Sequence, residues 1–172
     1  RNLRIIIPTV TALYKAKKYQ QADQIIQQAS RQQLYSPGLQ RLQAQSYLRQ
    51  NRLVSASETL EDIIFRDPNN LEAMFSLAML KMNQNQFDEA GELLKNLSRQ
   101  EPNSLAIISA QVQLNLRQGK QESALELCNK AIETLNNASG YILRARTLAN
   151  LGQNEKVLQD FEKALKLEPD NS

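Results

Sequence analysis

An all-α solenoid of about five helix-turn-helix hairpins is the fold this sequence predicts, and three observations predict it. First, NQFDEAGELLKNLSRQEPN at 85–103 has near-copies at 17–35, 51–69, 119–137 and 152–170, spaced by about 34 residues. Self-similarity at such a period is the signature of a stacked repeat. Second, each unit contains two segments of about 13 residues with apolar positions at helical spacing. Third, five Gly, five Pro, no Trp and an abundance of Ala, Leu, Gln and Lys favour helix over a β-sandwich.

Aligned, the units run 3–36, 37–70, 71–104, 105–137 and 138–171, and together they predict one array over 1–172. In the third unit the periodicity places a first helix over 71–83 and a second over 87–100. Asn51, Asn85, Gly119 and Gly152 punctuate the turn between the two helices of a unit. Asn69, with Glu72 three residues later, reads as a capping-box start, and Ser36-Pro37 as an N-cap followed by Pro at the first helical position.

The twentieth place of each unit is Ala22, Ala56, Ala90, Ala124 and then Val157, and the eighth is Val10, Ala44, Ala78, Val112 and Ala145. Small side chains at both suit a helix crossing at ~8–10 Å. Ile26, Leu60, Leu94, Cys128 and Phe161 fill the twenty-fourth place. Pro68, Pro102 and Pro169 stand at the thirty-second, where a residue without an N–H stops the helix and turns the chain into the next unit. The copies recur because each hairpin buries its open apolar face only against a neighbour.

These residues resemble the tetratricopeptide repeat family, whose 34-residue pattern has small residues at the eighth and twentieth places, an aromatic near the seventeenth (Tyr19, Phe87) and Pro near the thirty-second. The resemblance covers nearly the whole chain. Unit 1 departs from it with Leu34 in place of Pro and Pro8 inside its first helix; unit 4 has Asn136 there and is one residue short. The resemblance implies a right-handed solenoid whose first helices line a concave surface that binds an extended peptide or a partner helix.

The chain contains no His, and its one cysteine, Cys128, falls at a core place. A Cys-His nucleophile, a Ser-His-Asp triad and a His/Cys zinc site are thereby excluded from this chain, no catalytic residue, cofactor or metal is expected, and the predicted role is non-catalytic. Glu61-Asp62 and Asp88-Glu89 read as solvated acids, since neighbours on a helix face different directions. Cys128 reads as a buried small hydrophobe. One cysteine excludes an internal disulfide and leaves the compartment, cytoplasmic or periplasmic, undetermined.

The net charge of +3 is modest. Lys15, Lys17 and Lys18, beside Tyr14 and Tyr19, read as a solvated turn and not as a nucleic-acid face, which needs basic charge along a whole surface. The glutamines Gln20, Gln21, Gln27, Gln28, Gln32 and Gln33, interleaved with Ile25, Ile26 and Ala29, form a polar helix face. No apolar run approaches the ~18 residues a bilayer span requires, so no membrane insertion is expected.

By the resemblance, the second, fifth, ninth, twelfth and thirteenth places face the groove. The twelfth is apolar throughout (Tyr14, Leu48, Met82, Leu116, Ala149) and reads partly as packing between units. The candidate groove residues are Arg41, Gln45, Arg49, Phe75, Met79, Asn83, Gln113, Arg117 and Arg146, with Asn150 beside them and Glu72 as the one acid. Phe75 and Met79, one helical turn apart, are the apolar anchor, with filling of the array's core as the competing reading. Four arginines and several amides predict a protein or peptide ligand with acidic character. Family members that bind the acidic C-termini of heat-shock chaperones carry a Lys/Asn pair, an Asn and a Lys/Arg pair in successive units. Here Arg41 and Gln45, Ser76, then Ala106 and Ala110 stand at those places, which argues against that role.

A non-catalytic interaction scaffold is thus the leading expectation. The alternatives are the recognition arm of a larger enzyme, such as a glycosyltransferase, or of a secretion or assembly complex, and a nucleic-acid-binding array. The start at Arg1 and the stop at Glu168-Pro169-Asp170-Asn171-Ser172, residues that elsewhere begin another unit, lead us to expect a fragment whose parent continues. Leu158 and Leu165, one stripe of the last helix, are expected to be exposed or covered by another copy, while Val157, Phe161 and Ala164 face their own partner helix.

Overall fold

The computed structural model describes residues 3–32, 34 and 36–168, apart from the side chain of Ser30. The expectations placed on Arg1, Gln33, Pro169, Asp170, Asn171 and Ser172 lie outside these residues. Within them are ten α-helices and no strand: α1 (Leu3–Lys15), α2 (Tyr19–Arg31), α3 (Pro37–Arg49), α4 (Leu53–Arg66), α5 (Leu71–Asn83), α6 (Phe87–Gln100), α7 (Leu105–Arg117), α8 (Gln121–Leu135), α9 (Ala138–Asn150) and α10 (Asn154–Leu167). The bounds of α5 and α6 are those the periodicity predicts. The chain divides into two compact units, 1–80 and 81–172, the division falling inside α5.

In the first unit α1 packs on α2, α3 on α4, and α3 also on both helices of the preceding hairpin. Val10, Tyr14, Ala22, Ile26, Ala29 and Leu39 form one buried cluster there. In the second unit α7 packs on α8 and α9 on α10, with α6 against α7 and α8 against α9. Ile108, Val112, Ala124, Cys128 and Ala131 are its buried cluster.

The small places behave as their chemistry requires. Ala22, Ala56, Ala90 and Ala124 are fully buried, as are the eighth-place residues from Val10 to Ala145. Replacing Ala90 or Ala124 by Leu should overpack the crossing and cost about 1–3 kcal/mol. An unchanged urea midpoint in either variant would contradict the alignment.

Every turn between paired helices uses one conformation. Asn51, Asn85, Gly119 and Gly152 all have positive φ, between 57° and 75°, which Asn and Gly adopt with least strain. Lys17 takes the same conformation at φ 58° in the first hairpin, without that advantage.

Four details differ from expectation or resolve it. The cap of α5 is Asn70, not Asn69: its side-chain oxygen accepts from the Ala73 N–H at 3.1 Å. The chain after Pro68 needs that residue more to bring the Asx oxygen over the first turn. Ser36 is the N-cap residue of α3 with Pro37 at the first helical position, but its side chain makes no capping bond. α1 runs unbroken through Pro8, and the hydroxyls of Thr9 and Thr11 donate to the carbonyls of Ile5 and Ile7 at 2.8 Å on either side of it. The short junction of unit 4 closes with two residues: Asn136 ends α8 in the left-handed conformation, and the Asn137 side chain accepts from Ser139 N at 3.0 Å to start α9.

Phe161 departs from its predicted place. It is 39% exposed, whereas Ile26, Leu60, Leu94 and Cys128, its counterparts, are buried. Those residues sit beneath a following hairpin; Phe161 has none over it among the described residues.

Candidate functional site

Several first helices carry exposed polar side chains. On α3, Arg41, Gln45 and Arg49 stand four residues apart, and all three are exposed. In the first unit Arg41 and Gln45 line a cleft of about 110 Å³ with Pro37, Asn70, Glu72 and Ser76 around it. Phe75 and Met79 on α5 are half-buried, exposing part of each side chain beside the fully buried Ala78.

The second unit repeats the arrangement on α7 and α9. Gln113 and Arg117 share a cleft of about 480 Å³ with Leu116, Gln121 and Asn150. Arg146 is exposed one turn before Asn150, and Asn83 is exposed at the end of α5.

The arginines fall into two groups that sequence alone does not separate. Arg41 donates to Glu72 at 2.6 Å, so its charge is already engaged. Arg117 donates to the Met82 carbonyl at 2.8 Å and to Asn85 Oδ1 at 3.4 Å, and its guanidinium lies 5.7 Å from the Phe87 ring centre. It therefore clamps the α5–α6 turn, adding a charged donor to a helix C-terminal carbonyl that already accepts from the Asn85 N–H. Arg49 and Arg146 make no hydrogen bond or ion pair with another described residue, and both guanidiniums are open to a ligand.

Other candidate chemistry resolves into structure. Asp62 accepts from Gln40 at 2.7 Å and pairs with Arg66 at 3.0 Å, while Glu61 accepts from Ser57 at 2.9 Å, so these adjacent acids serve different partners. Glu89 pairs with Lys81 at 2.8 Å. Lys15, Lys17 and Lys18 are exposed, but Tyr14 beside them is buried and packs at 6.2 Å on the half-buried Tyr19, leaving no aromatic platform for a base. The glutamines of α2 are exposed and Ile26 and Ala29 buried, as a polar helix face requires.

Two buried polar clusters were not foreseen. Asp23, nearly buried on α2, accepts from Gln50 at 3.1 Å, Ser46 at 3.3 Å and Tyr14 at 3.4 Å, with Arg52 at 3.5 Å. Burial pushes the Tyr14 hydroxyl pKa well above its ordinary value, so that it remains a neutral donor to Asp23. On α10, Asp160 is buried and forms a two-pronged pair with Arg144 of α9, both bonds 2.7 Å. The seventh and twenty-third places that Arg144 and Asp160 occupy are neutral in every other unit, and that coincident change is the signal the sequence offered.

Cys128 is buried and its sulfur lies 3.4 Å from Thr147 Oγ1. Burial raises its thiol pKa above the ordinary value, so less thiolate exists at a given pH. Ellman's reagent at pH 8 is expected to leave the native thiol unmodified and to titrate it fully in denaturant. Rapid modification of the folded chain would contradict the burial.

Two tetratricopeptide repeat family profiles match the chain, one over residues 47–114 and the other over 138–171. No curated protein sequence matches significantly. Among solved structures the chain is similar to MamA AMB-1, with a TM-score of 0.66 and 18% identity over 100% of this chain and 96% of that one. It is similar to TTC0263, a thermophilic TPR protein in Thermus thermophilus, with a TM-score of 0.67 and 16% identity over 98% and 92%. It is also similar to MamA from Desulfovibrio magneticus RS-1, with a TM-score of 0.75 and 12% identity over 98% and 97%. At these identities the likeness is one of fold.

Proposed function

Because this chain belongs to the tetratricopeptide-repeat family, a family of protein-interaction scaffolds, we propose that it binds an extended, acidic peptide segment along the first-helix faces. The observation that carries this reading is the state of Arg49 in the first unit and Arg146 in the second. Both are exposed, uncommitted guanidiniums at groove places of α3 and α9, flanked by the amides of Gln45 and Asn150 respectively. A carboxylate satisfies a guanidinium through two parallel bonds, and the amides hydrogen-bond a ligand's backbone whatever its side chains. Phe75 and Met79, each half-exposed, are the apolar anchor point. Arg41 and Gln45 accompany Arg49 in the first unit, and Asn83, Gln113 and Arg117 accompany Arg146 in the second, with Arg41 and Arg117 contributing less because each already has an internal partner.

Fluorescence anisotropy with three labelled peptides tests this: one acidic with a central Leu, one with every acid replaced by Lys, and one neutral. The acidic peptide should bind best, and Arg49→Glu or Arg146→Glu should weaken it about tenfold or more, as expected for losing a charge-assisted bond. Arg41→Ala should weaken it less, and Met79→Ala should weaken it while leaving helicity and melting near those of the parent. Equal binding of all three peptides, or affinity unchanged by Arg49→Glu, would overturn the proposal. A large fall in melting temperature for Phe75→Ala would assign that ring to the core.

A further inference from the structure

At α2–α3, α6–α7 and α8–α9 the first helix of one hairpin packs on the second helix of the hairpin before it. Among the described residues, the corresponding faces of α1 and α10 stand uncovered. On α1, Ile5 is 70% exposed, although its counterparts Leu39, Ala73 and Ile107 are buried. Ala12 is exposed where Leu80 and Leu114 are buried. On α10, Leu158 is 64% and Leu165 50% exposed, with Phe161 between them. We infer that the outer face of α1 docks on the outer face of α10 of a second copy of this chain, a head-to-tail contact that repeats the internal junction.

The internal junctions supply the register. A Cβ on Gly91 of α6 would lie 3.6 Å from Leu114 Cδ2 of α7, and one on Gly140 of α9 would lie 2.9 Å from Ile132 Cα of α8. Gly91 and Leu114 hold the places that Leu158 and Ala12 hold at the two open faces; Ile132 and Gly140 hold those of Leu165 and Ile5. The antiparallel register therefore seats Leu158 over Ala12 and Leu165 over Ile5. Phe161 then falls over Thr9, whose hydroxyl already donates to the Ile5 carbonyl at 2.8 Å and so tolerates burial.

Charge along the same register is balanced. Lys15 falls opposite Glu155, a favourable pair, and Arg4 opposite Lys166, an unfavourable one at the rim. Shape and apolar burial therefore carry the contact, and its dependence on salt should be slight. Such a contact is heterologous: each copy uses two different surfaces, so association continues beyond a dimer unless a ring closes.

The inference concerns the two ends of the array and stands apart from the peptide-binding reading, since none of its residues belongs to the proposed groove. Sedimentation and light scattering of the whole 172-residue chain test it. The mean mass should rise with concentration above the 19.5 kDa of one copy. Ile5→Lys, and separately Leu158→Lys with Leu165→Lys, should each give a monomer with unchanged helicity, because every substituted side chain is exposed. Mixing the two variants should restore association but stop it at a dimer, since the mixture has one intact head and one intact tail. Ala12→Glu serves as a second head variant. A parent that stays monomeric up to about 1 mM would overturn the inference and leave the α10 face to a different partner. An Ile5→Lys variant that keeps the parent's mass would also overturn it, pointing to a tail-to-tail contact, and so would a mixture that stays monomeric.

Discussion

Asp160→Ala is expected to cost about 3 kcal/mol, as breaking a buried ion pair by removing one partner does. The Asp160 carboxylate is almost wholly buried, and Arg144, a quarter exposed, gives it two bonds of 2.7 Å while donating a third, of 2.6 Å, to Asn129. Removing the carboxylate strands a partly buried cation beside the Tyr141 ring at 5.8 Å. A guanidinium holds its proton throughout the accessible pH range even without its partner, so Arg144 cannot escape by losing its charge. The value lies at the low end for broken buried pairs because the exposed edge of Arg144 can turn to water. Urea unfolding with an unchanged slope would report it as a lowered midpoint. Asp160→Leu combined with Arg144→Met should recover most of the loss, since the costly species is the lone charge and not the absent pair. A midpoint within experimental error of the parent for Asp160→Ala would refute the clamp.

Gly140→Ala should destabilise by about 2 kcal/mol, whereas Gly91→Ala should be neutral or stabilising. Both glycines lie within helices at junctions between hairpins, so helix propensity alone predicts a gain of up to about 1 kcal/mol for each. Their surroundings decide otherwise. A Cβ on Gly91 meets the tip of Leu114 at an ordinary 3.6 Å. A Cβ on Gly140 meets Ile132 Cα at 2.9 Å and its N at 3.0 Å, which is backbone that cannot yield without moving α8 from α9. Thermal melts of the two variants should move in opposite directions. A Gly140→Ala protein as stable as the parent would show that the junction has slack.

The glycine contact follows from the two-residue connection at Asn136-Asn137, and it marks the limit of what the sequence reveals. Helix bounds, the buried alanines and the positions of the Asn and Gly turns were legible because each recurs, and repetition averages away accident. The short junction was visible as a missing residue, but its requirement for a bare backbone at Gly140 depends on how near α8 comes. Arg144–Asp160 and the Asp23 cluster each occur once, so no periodicity marks them. Asn70 rather than Asn69 caps α5 because one residue of loop geometry decides which Asx oxygen reaches the Ala73 N–H. For the proposed groove, the outward placement of Arg49 and Arg146 was what the resemblance to the repeat family implied, and both side chains are exposed. The engagement of Arg41 by Glu72 and of Arg117 by the Met82 carbonyl was not implied, because the partners lie about thirty residues away.

The left-handed turn at Lys17 has a bearing on how the chain comes apart. In a stack whose members touch only their neighbours, loss of order runs inward from an end, and the weaker end leads. The first hairpin pairs a non-glycine turn at φ 58° with a helix that forgoes one backbone bond at Pro8, and Asp23 ties it to Ser46 of α3 and to Gln50 after it by bonds of 3.3 and 3.1 Å. The last hairpin is bolted across its two helices by Arg144 and Asp160. Local opening is therefore expected first in this hairpin: amide exchange should be faster in α1 and α2 than in α9 and α10, and limited proteolysis should cut near Lys17 before it cuts near Gly152.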